Sequence, residues 1–355
     1  MSGSRAPTLR EVARHAGVHV ATASRALNTA QQHLVSEDTR ARVQAASAAL
    51  GYRANAVAQS LRTGTTGTIG VVVADLANPF NASILRGIEH GIQDRGILPL
   101  VVETHDHPER MRSAVARLLG NRVDAIVLCA AHTGDEAYVR ELARTVPLVL
   151  AVRGFGLRLG AGSGDGPAEV LQDDVLGARA AVDHLVGLGH RRIAQLPGNP
   201  TISSFVERAS GYRAALADHP GVHDLSSGSH ASESSVAEGR RLAAELLSRE
   251  AARRPTALFA HNDLIAVGAL DALRAAGLRC PDDVSVIGYN DAPLSDHLDP
   301  PLTTVRLPSF ELGGRTARLV LEALDGVRES PRSVMLSPEF IPRRSTSAPR
   351  LESGS

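Results

Sequence analysis

Residues 8–28 read Thr8-Leu9-Arg10-Glu11-Val12-Ala13-Arg14-His15-Ala16-Gly17-Val18-His19-Val20-Ala21-Thr22-Ala23-Ser24-Arg25-Ala26-Leu27-Asn28, and this stretch decides the architecture of the first part of the chain. Thr8 caps a first helix whose Leu9, Val12, Ala13 and Ala16 fall at helical spacing on one face. Gly17 supplies a tight turn, and a second helix begins near Val20. Two short helices joined in this way form a helix-turn-helix, a unit whose second helix enters the major groove of DNA with its N-terminal residues at base edges. Val20, Ala21 and Arg25 are the side chains that this geometry turns toward the bases.

Beyond it, Ser36 caps a third helix running from Glu37 to Leu50, stopped by Gly51, with Val43, Ala46 and Leu50 on its inner side. Residues 1–53 thus form a small all-α head. Ala54 to Leu61 has the pattern of a fourth helix, ended by Thr63-Gly64-Thr65-Thr66-Gly67, and 54–66 reads as a hinge helix and linker. Two turns are marginal alone in water, so this helix is expected to order only on DNA.

From Thr68 the pattern changes to apolar runs alternating with amphipathic stretches: Ile69–Val73, Leu98–Val102 and Ala125–Leu128, separated by helix-like Ala82–Asp94 and Arg110–Leu119. A second set is read after the Gly-rich bend 154–166, with strands at Ile193–Leu196, Ala257–Ala260 and Val284–Gly288. Its helices are Leu176–Leu188, Arg208–Ala217, Ser235–Leu247 and Leu264–Ala276, and Leu312–Leu324 follows. This βαβ rhythm predicts an α/β body, 67–345, of two doubly wound parallel-sheet lobes with a cleft between them. Residues 346–355 are expected to be a disordered tail.

Charge divides along the same boundary. All 38 cationic side chains are Arg, and residues 1–66 hold eight of them against Glu11, Glu37 and Asp38, while the rest of the chain holds 30 Arg and 35 acids. A basic head and an acidic body are expected where one end meets phosphate and the other does not. With only Cys129 and Cys280, a disulfide framework is excluded as a design principle. Neither cysteine sits at metal-ligand spacing, and Cys129 ends a strand-like run as a small hydrophobe. No signal pattern and no apolar run of spanning length is present, so a cytoplasmic, nucleoid-associated protein with no membrane partner is expected.

The chain resembles the LacI/GalR family of bacterial repressors. The likeness rests on 8–28, continues through Gly51-Tyr52-Arg53-Ala54-Asn55-Ala56-Val57-Ala58-Gln59-Ser60-Leu61-Arg62-Thr63-Gly64 and Thr68–Val73, and returns at Asn262-Asp263 and Pro301–Val305. It implies a body of periplasmic-binding-protein type, a chain that crosses between lobes three times, and a homodimer on a palindromic double-stranded operator. It also implies an allosteric repressor of carbohydrate-utilisation genes, with a sugar or sugar derivative in the inter-lobe cleft and no cofactor. For the DNA contacts, Arg25 reads a base, since a guanidinium bonds guanine O6 and N7 together, or touches phosphate only; the docking geometry favours the base. Val20 and Ala21 stand where the family varies its sequence preference. Thr22, Ser24 and Asn28 match phosphate-touching positions, and Thr8 and Asn55 join the DNA-facing set. His19 departs from the usual capping serine and offers a poorer cap, or a phosphate contact. Leu61 matches the hinge leucine that enters the minor groove as a wedge, or is buried against the neighbouring hinge helix; the lack of a local core beside it favours insertion.

For the cleft, the resemblance assigns Phe80 as an aromatic wall, with Asn81, Arg153, Ser204, Arg208, Asn262 and Asn290 around it. Many sugar-responsive relatives carry acids where this chain has Val152 and Asn290, and an aromatic where it has Asn81. The cleft is therefore less anionic than usual, and Arg153 and Arg208 remain as donors. A neutral sugar is the first expectation and an acidic or phosphorylated small molecule the second. A solute-binding protein for sugar uptake is the rival reading, but it has no use for residues 8–61. An enzyme is not expected: His105-Asp106-His107 is loop-like and lacks a third ligand at plausible spacing, and no GxSxG or phosphate-binding loop stands near Ser203-Ser204. No leucine heptads follow Pro342, so a dimer rather than a tetramer is expected.

Overall fold

A computed structural model describes residues 7–27, 31–52, 64–155, 166–327 and 332–350. The chain divides into two compact units, 1–66 and 67–355.

The first unit is built on α1 (Leu9–His15), α2 (Val20–Leu27) and α3 (Glu37–Leu50), with a short 3-10 turn at Gln32–Leu34. α1 opens with a capping box: Glu11 N donates to Thr8 Oγ1 at 3.4 Å, and Thr8 N donates to Glu11 Oε2 at 2.6 Å. Ser36 accepts from Thr39 N at the start of α3, and Gly51 ends it in the left-handed conformation at φ 62°. Val12, Ala13, Ala16, Ala23, Ala26, Val43 and Ala46 meet in one small core. Ala side chains let three short helices approach closely; their burial against one another supplies what helix propensity alone lacks.

The second unit holds two parallel sheets. The first has the order β11-β5-β4-β3-β1-β2, from β1 (Thr68–Val73), β2 (Leu98–Glu103), β3 (Ala125–Leu128), β4 (Leu148–Ala151), β5 (Ala168–Gln172) and β11 (Ser333–Leu336). Alternate residues of β3 serve different cores: Ala125 and Val127 join one, Ile126 and Leu128 the other. Period-two burial on both faces is what a sheet covered on both sides requires. The covering helices are α4 (Pro79–Ile92), α5 (Pro108–Gly120), α6 (Glu136–Leu142) and α11 (Ser309–Asp325). α4 and α11 cross so closely that a Cβ on Gly87 would lie 2.2 Å from Phe310 O.

The second sheet has the order β7-β6-β8-β9, from β6 (Arg192–Leu196), β7 (His223–Asp224), β8 (Ala257–Ala260) and β9 (Ser285–Ile287). α7 (Asp174–Gly187), α8 (Ser203–Asp218), α9 (Val236–Leu247) and α10 (Asp263–Ala275) surround it. β10 (Thr304–Arg306) and β12 (Glu339–Ile341) pair antiparallel where the chain passes between lobes. The crossings fall after β5, before α11 and after β11.

Three expectations are corrected. The second lobe does not begin at the bend 154–166: β5 pairs with β4, Val149 opposite Ala168, so the bend returns the chain to the same sheet. α8 begins at Ser203, placing Arg208 in its second turn rather than at its start. Residues 346–350 are not a loose tail. Ser347 N donates to Ser285 Oγ at 3.1 Å, His190 Nε2 meets Ser347 O at 2.9 Å, and Arg350 pairs with Asp283 at 2.8 Å.

Candidate functional site

Within the first unit, α2 presents Ala21 and Arg25 one turn apart on its exposed face. Thr22 and Ser24 are half-buried beside them. Val20 is also half-buried and packs partly on the head core, so it is less open than its position at the helix start implied. His19 proves to be a working cap: its Nδ1 accepts from Ala21 N at 3.2 Å, and its carbonyl accepts from Thr22 N and Ala23 N. This geometry requires an unprotonated Nδ1, so a charged His19 cannot both cap the helix and bind phosphate. Thr8 is engaged in the capping box described above. Asn28, Asn55 and Leu61 lie outside the described residues.

In the second unit, the carboxyl ends of β1, β2, β3, β4, β6, β8 and β9 converge on one cavity of about 410 Å³. Open parallel sheets bind ligands at this edge, and two facing lobes supply loop ends from both sides. Phe80, 7% exposed, forms an apolar wall at the start of α4, where Asn78 caps the helix by accepting from Phe80 N at 3.1 Å. Asn81 lines the same wall, but its Nδ2 donates to Asp75 O at 2.5 Å.

Both arginines of the cleft are already partnered. Arg153 makes a bidentate pair with Asp106, Nη1 to Oδ1 at 2.6 Å and Nη2 to Oδ2 at 3.2 Å. His132 Nε2 adds a contact to Asp106 Oδ1 at 3.1 Å, and its Nδ1 meets Thr201 Oγ1 of the other lobe at 2.8 Å. Burial opposes ionisation of Asp106, but His132 and Arg153 outweigh it and hold the carboxyl well below the usual carboxylate range. Arg208 donates from Nε to Asp174 Oδ1 at 2.9 Å and from Nη1 to His261 O, with its guanidinium 3.9 Å from the Tyr289 ring centre. Cys129 also borders the cavity; burial pushes its thiol up to about 12, against the pull of Arg153, so it stays neutral.

Among the described residues lining the cavity, two side chains hold a buried polar atom without a partner. Asn262 caps α10, its Oδ1 accepting from Ile265 N at 2.8 Å, and its Nδ2 has no partner although the residue is 2% exposed. Asn290, 8% exposed, has an unpartnered Oδ1. Both border the cavity. Strained backbone gathers here as well, with Asp106 at φ 60°, Val152 at φ 69° and Asn290 at φ 113°. A β-branched residue in that region is unfavourable by about 1–3 kcal/mol and persists only where its surroundings impose it.

A family model described as bacterial regulatory proteins, lacI family, matches residues 8–55, and one for a periplasmic binding protein-like domain matches 182–346. The HTH-type transcriptional regulator CelR of Thermobifida fusca is 34% identical over 97% of this chain and 100% of its own. The chain belongs to the LacI family. Another LacI-family relative, the ribose operon repressor of Escherichia coli (strain K12), is 32% identical over 95% of this chain and 99% of its own. Among solved structures, the lac repressor dimer bound to operator and the anti-inducer ONPF superposes with a TM-score of 0.82 at 29% identity, over 97% of this chain and all of the other. A CelR–cellobiose complex gives 0.70 at 32% identity, over 96% and 99%. The chain is therefore a LacI-family transcriptional regulator with a helix-turn-helix head and a two-lobed body.

In this LacI-family chain the structure brings Phe80, Asn81, Arg153, Ser204, Arg208, Asn262 and Asn290 to one cavity, together with Val152. The sequence reading missed Asp106 and Asp174, the carboxylates that occupy the two arginines, and Phe205, Glu233 and Ser235 on the second-lobe rim. For Asp106 a signal existed: it follows the end of β2, the same edge that placed Phe80 and Arg153. Asp174 and Glu233 carried none.

Proposed function

We propose that this regulator represses carbohydrate-utilisation genes by binding a palindromic operator as a homodimer, and that a sugar or sugar derivative in the inter-lobe cleft changes its hold on DNA. The observation that carries the effector half is the pair of buried, unpartnered amide atoms, Asn262 Nδ2 and Asn290 Oδ1, on the wall of a cavity of about 410 Å³. An unsatisfied buried polar group costs about 1–3 kcal/mol, which a hydroxyl bonded to it recovers. The DNA half is supported by Ala21 and Arg25 on the open face of α2, with Thr22 and Ser24 toward the phosphates.

In this reading 1–53 is the DNA-binding domain, 54–66 the hinge carrying Asn55 and the Leu61 wedge, and the chain from 67 through at least 350 the effector and dimerisation domain. The chain performs no catalysis and acts in the bacterial cytoplasm on the nucleoid; no helix of the described residues is long and apolar enough to cross a membrane. Cleft closure repositions the first lobes of the dimer and so the hinge pair, releasing the operator. The test is selection of duplexes from a randomised pool by the full-length dimer, with and without a panel of sugars. Enrichment of a two-fold symmetric site that one sugar abolishes is expected. No duplex preference under either condition overturns the reading.

A further inference from the structure

Arg153 and Arg208 on the wall of a ligand cleft suggest, taken alone, a site for a carboxylate or a phosphate. The structure removes that option. Asp106 takes both Nη atoms of Arg153, and Asp174 takes Nε of Arg208. Among the described residues bordering the cavity, each guanidinium thus faces a carboxylate, Asp75 and Glu233 add negative charge with no further arginine to balance them, and the remaining basic side chain, His105, lies 3.7 Å from Glu103. An anion entering the cleft meets the Asp106 carboxylate rather than an open Arg153, and like charges at such range in a partly dry site repel strongly.

The unsatisfied atoms specify the hydroxyl-bearing part of the ligand, and the pairing of the arginines specifies its charge. Asn262 Nδ2 needs an acceptor and Asn290 Oδ1 needs a donor. An ionised carboxylate or phosphate group accepts only, so it can serve the first and not the second, and the ligand's hydroxyls must serve the second whatever its net charge. A hydroxyl group does both, and neighbouring hydroxyls on one ring can serve the two amides together.

We propose that Asp106 sets the charge class of the effector: by neutralising Arg153 it makes the cleft selective for an uncharged, hydroxyl-bearing molecule and rejects sugar acids and sugar phosphates. The proposal rests on the reading of the cleft as the effector site. Asp106 is well placed for the role. It sits in a left-handed turn at φ 60° directly after β2, and His132, itself braced by Thr201 Oγ1, holds one carboxylate oxygen while Arg153 spans both. Asn at this position keeps the shape and one acceptor but leaves Arg153 with a net positive charge facing the cavity.

The test uses the full-length protein and inorganic sulfate, with sodium chloride at matched ionic strength as the reference. Wild type should show no sulfate-specific rise in Tm or calorimetric binding. Asp106→Asn should bind sulfate at least about tenfold more tightly than wild type, and Asp106→Asn/Arg153→Gln should lose the gain. In parallel, wild type should prefer each neutral sugar to its uronic acid or phosphate, and Asp106→Asn should narrow that preference. Should Asp106→Asn fail to fold, Asp106→Ser replaces it with the same expected gain in sulfate affinity, because it too removes the carboxylate that neutralises Arg153. A folded Asp106→Asn protein without any gain in sulfate affinity overturns the proposal. So does a wild type that binds sugar phosphates more tightly than neutral sugars. If such anion binding is weakened by Asn262→Ala, the cleft reading survives and only the role of Asp106 falls; if no sugar or anion responds to Asn262→Ala, the cleft reading itself falls.

Discussion

Asn262 performs two tasks with two atoms, and one substitution separates them. Its Oδ1 caps α10 through Ile265 N at 2.8 Å, while its Nδ2 lies unpartnered on the cavity wall. Asn262→Ser keeps a capping oxygen, so the helix changes by a few tenths of a kcal/mol, whereas Asn262→Ala loses about 1 kcal/mol. Because Nδ2 is unsatisfied in the free protein, deleting it does not lower stability, and the vacated space opens into the cleft rather than into a sealed core. In thermal unfolding without ligand, Asn262→Ser should match wild type, and Asn262→Ala should fall by about 2–4 °C. With the sugar that stabilises wild type most, both variants lose one hydrogen bond. At about 1 kcal/mol this weakens binding about fivefold by titration calorimetry. Operator affinity without sugar should not change. An Asn262→Ser protein that binds this sugar as tightly as wild type would refute the assignment of Nδ2 to the ligand.

Further outcomes are expected. Arg25→Ala should weaken operator binding by about 1–3 kcal/mol and relax selection at one base pair per half-site, seen by repeating duplex selection, whereas Thr22→Ala should weaken all sequences alike. Leu61→Ala should weaken operator binding at least about tenfold while calorimetric sugar binding stays intact, if the wedge unstacks a base step; equal operator affinity would remove the wedge. Burial, offset only partly by the bond to Ser347, depresses His190 to about 4 from its ordinary 6.5. The folded state therefore favours neutral His190, a contribution fully present above about pH 6.5 and lost as pH falls toward 4. Urea unfolding should show wild type losing about 2 kcal/mol more than His190→Gln between pH 7.5 and 4.5, and parallel losses would show that His190 does not titrate between the states.

Much of the molecule was legible because its signals are local. The caps at Thr8 and Ser36 and the stop at Gly51 each act within a few residues, and the apolar runs of β1, β3 and β8 are long enough to reveal two-sided burial. Other elements escaped for physical reasons. β7 is two residues long and β10 and β12 three each, so their pairing comes from neighbours placed by the rest of the fold. β5 was not read as a strand at all, and nothing in Ala168–Gln172 records that it returns to the first sheet beside β4.

The amino-acid sequence by itself determined the head, the βαβ rhythm and the strand ends at which Phe80, Arg153, Asn262 and Asn290 stand. Only the tertiary structure decided what those side chains are free to do. Arg153 meets Asp106 across 47 residues and Arg208 meets Asp174 across 34, and the same packing leaves Asn262 and Asn290 without partners. Backbone periodicity is written in neighbouring residues, whereas the charge of a cleft depends on which distant carboxylate arrives beside each cation and on how little water remains between them.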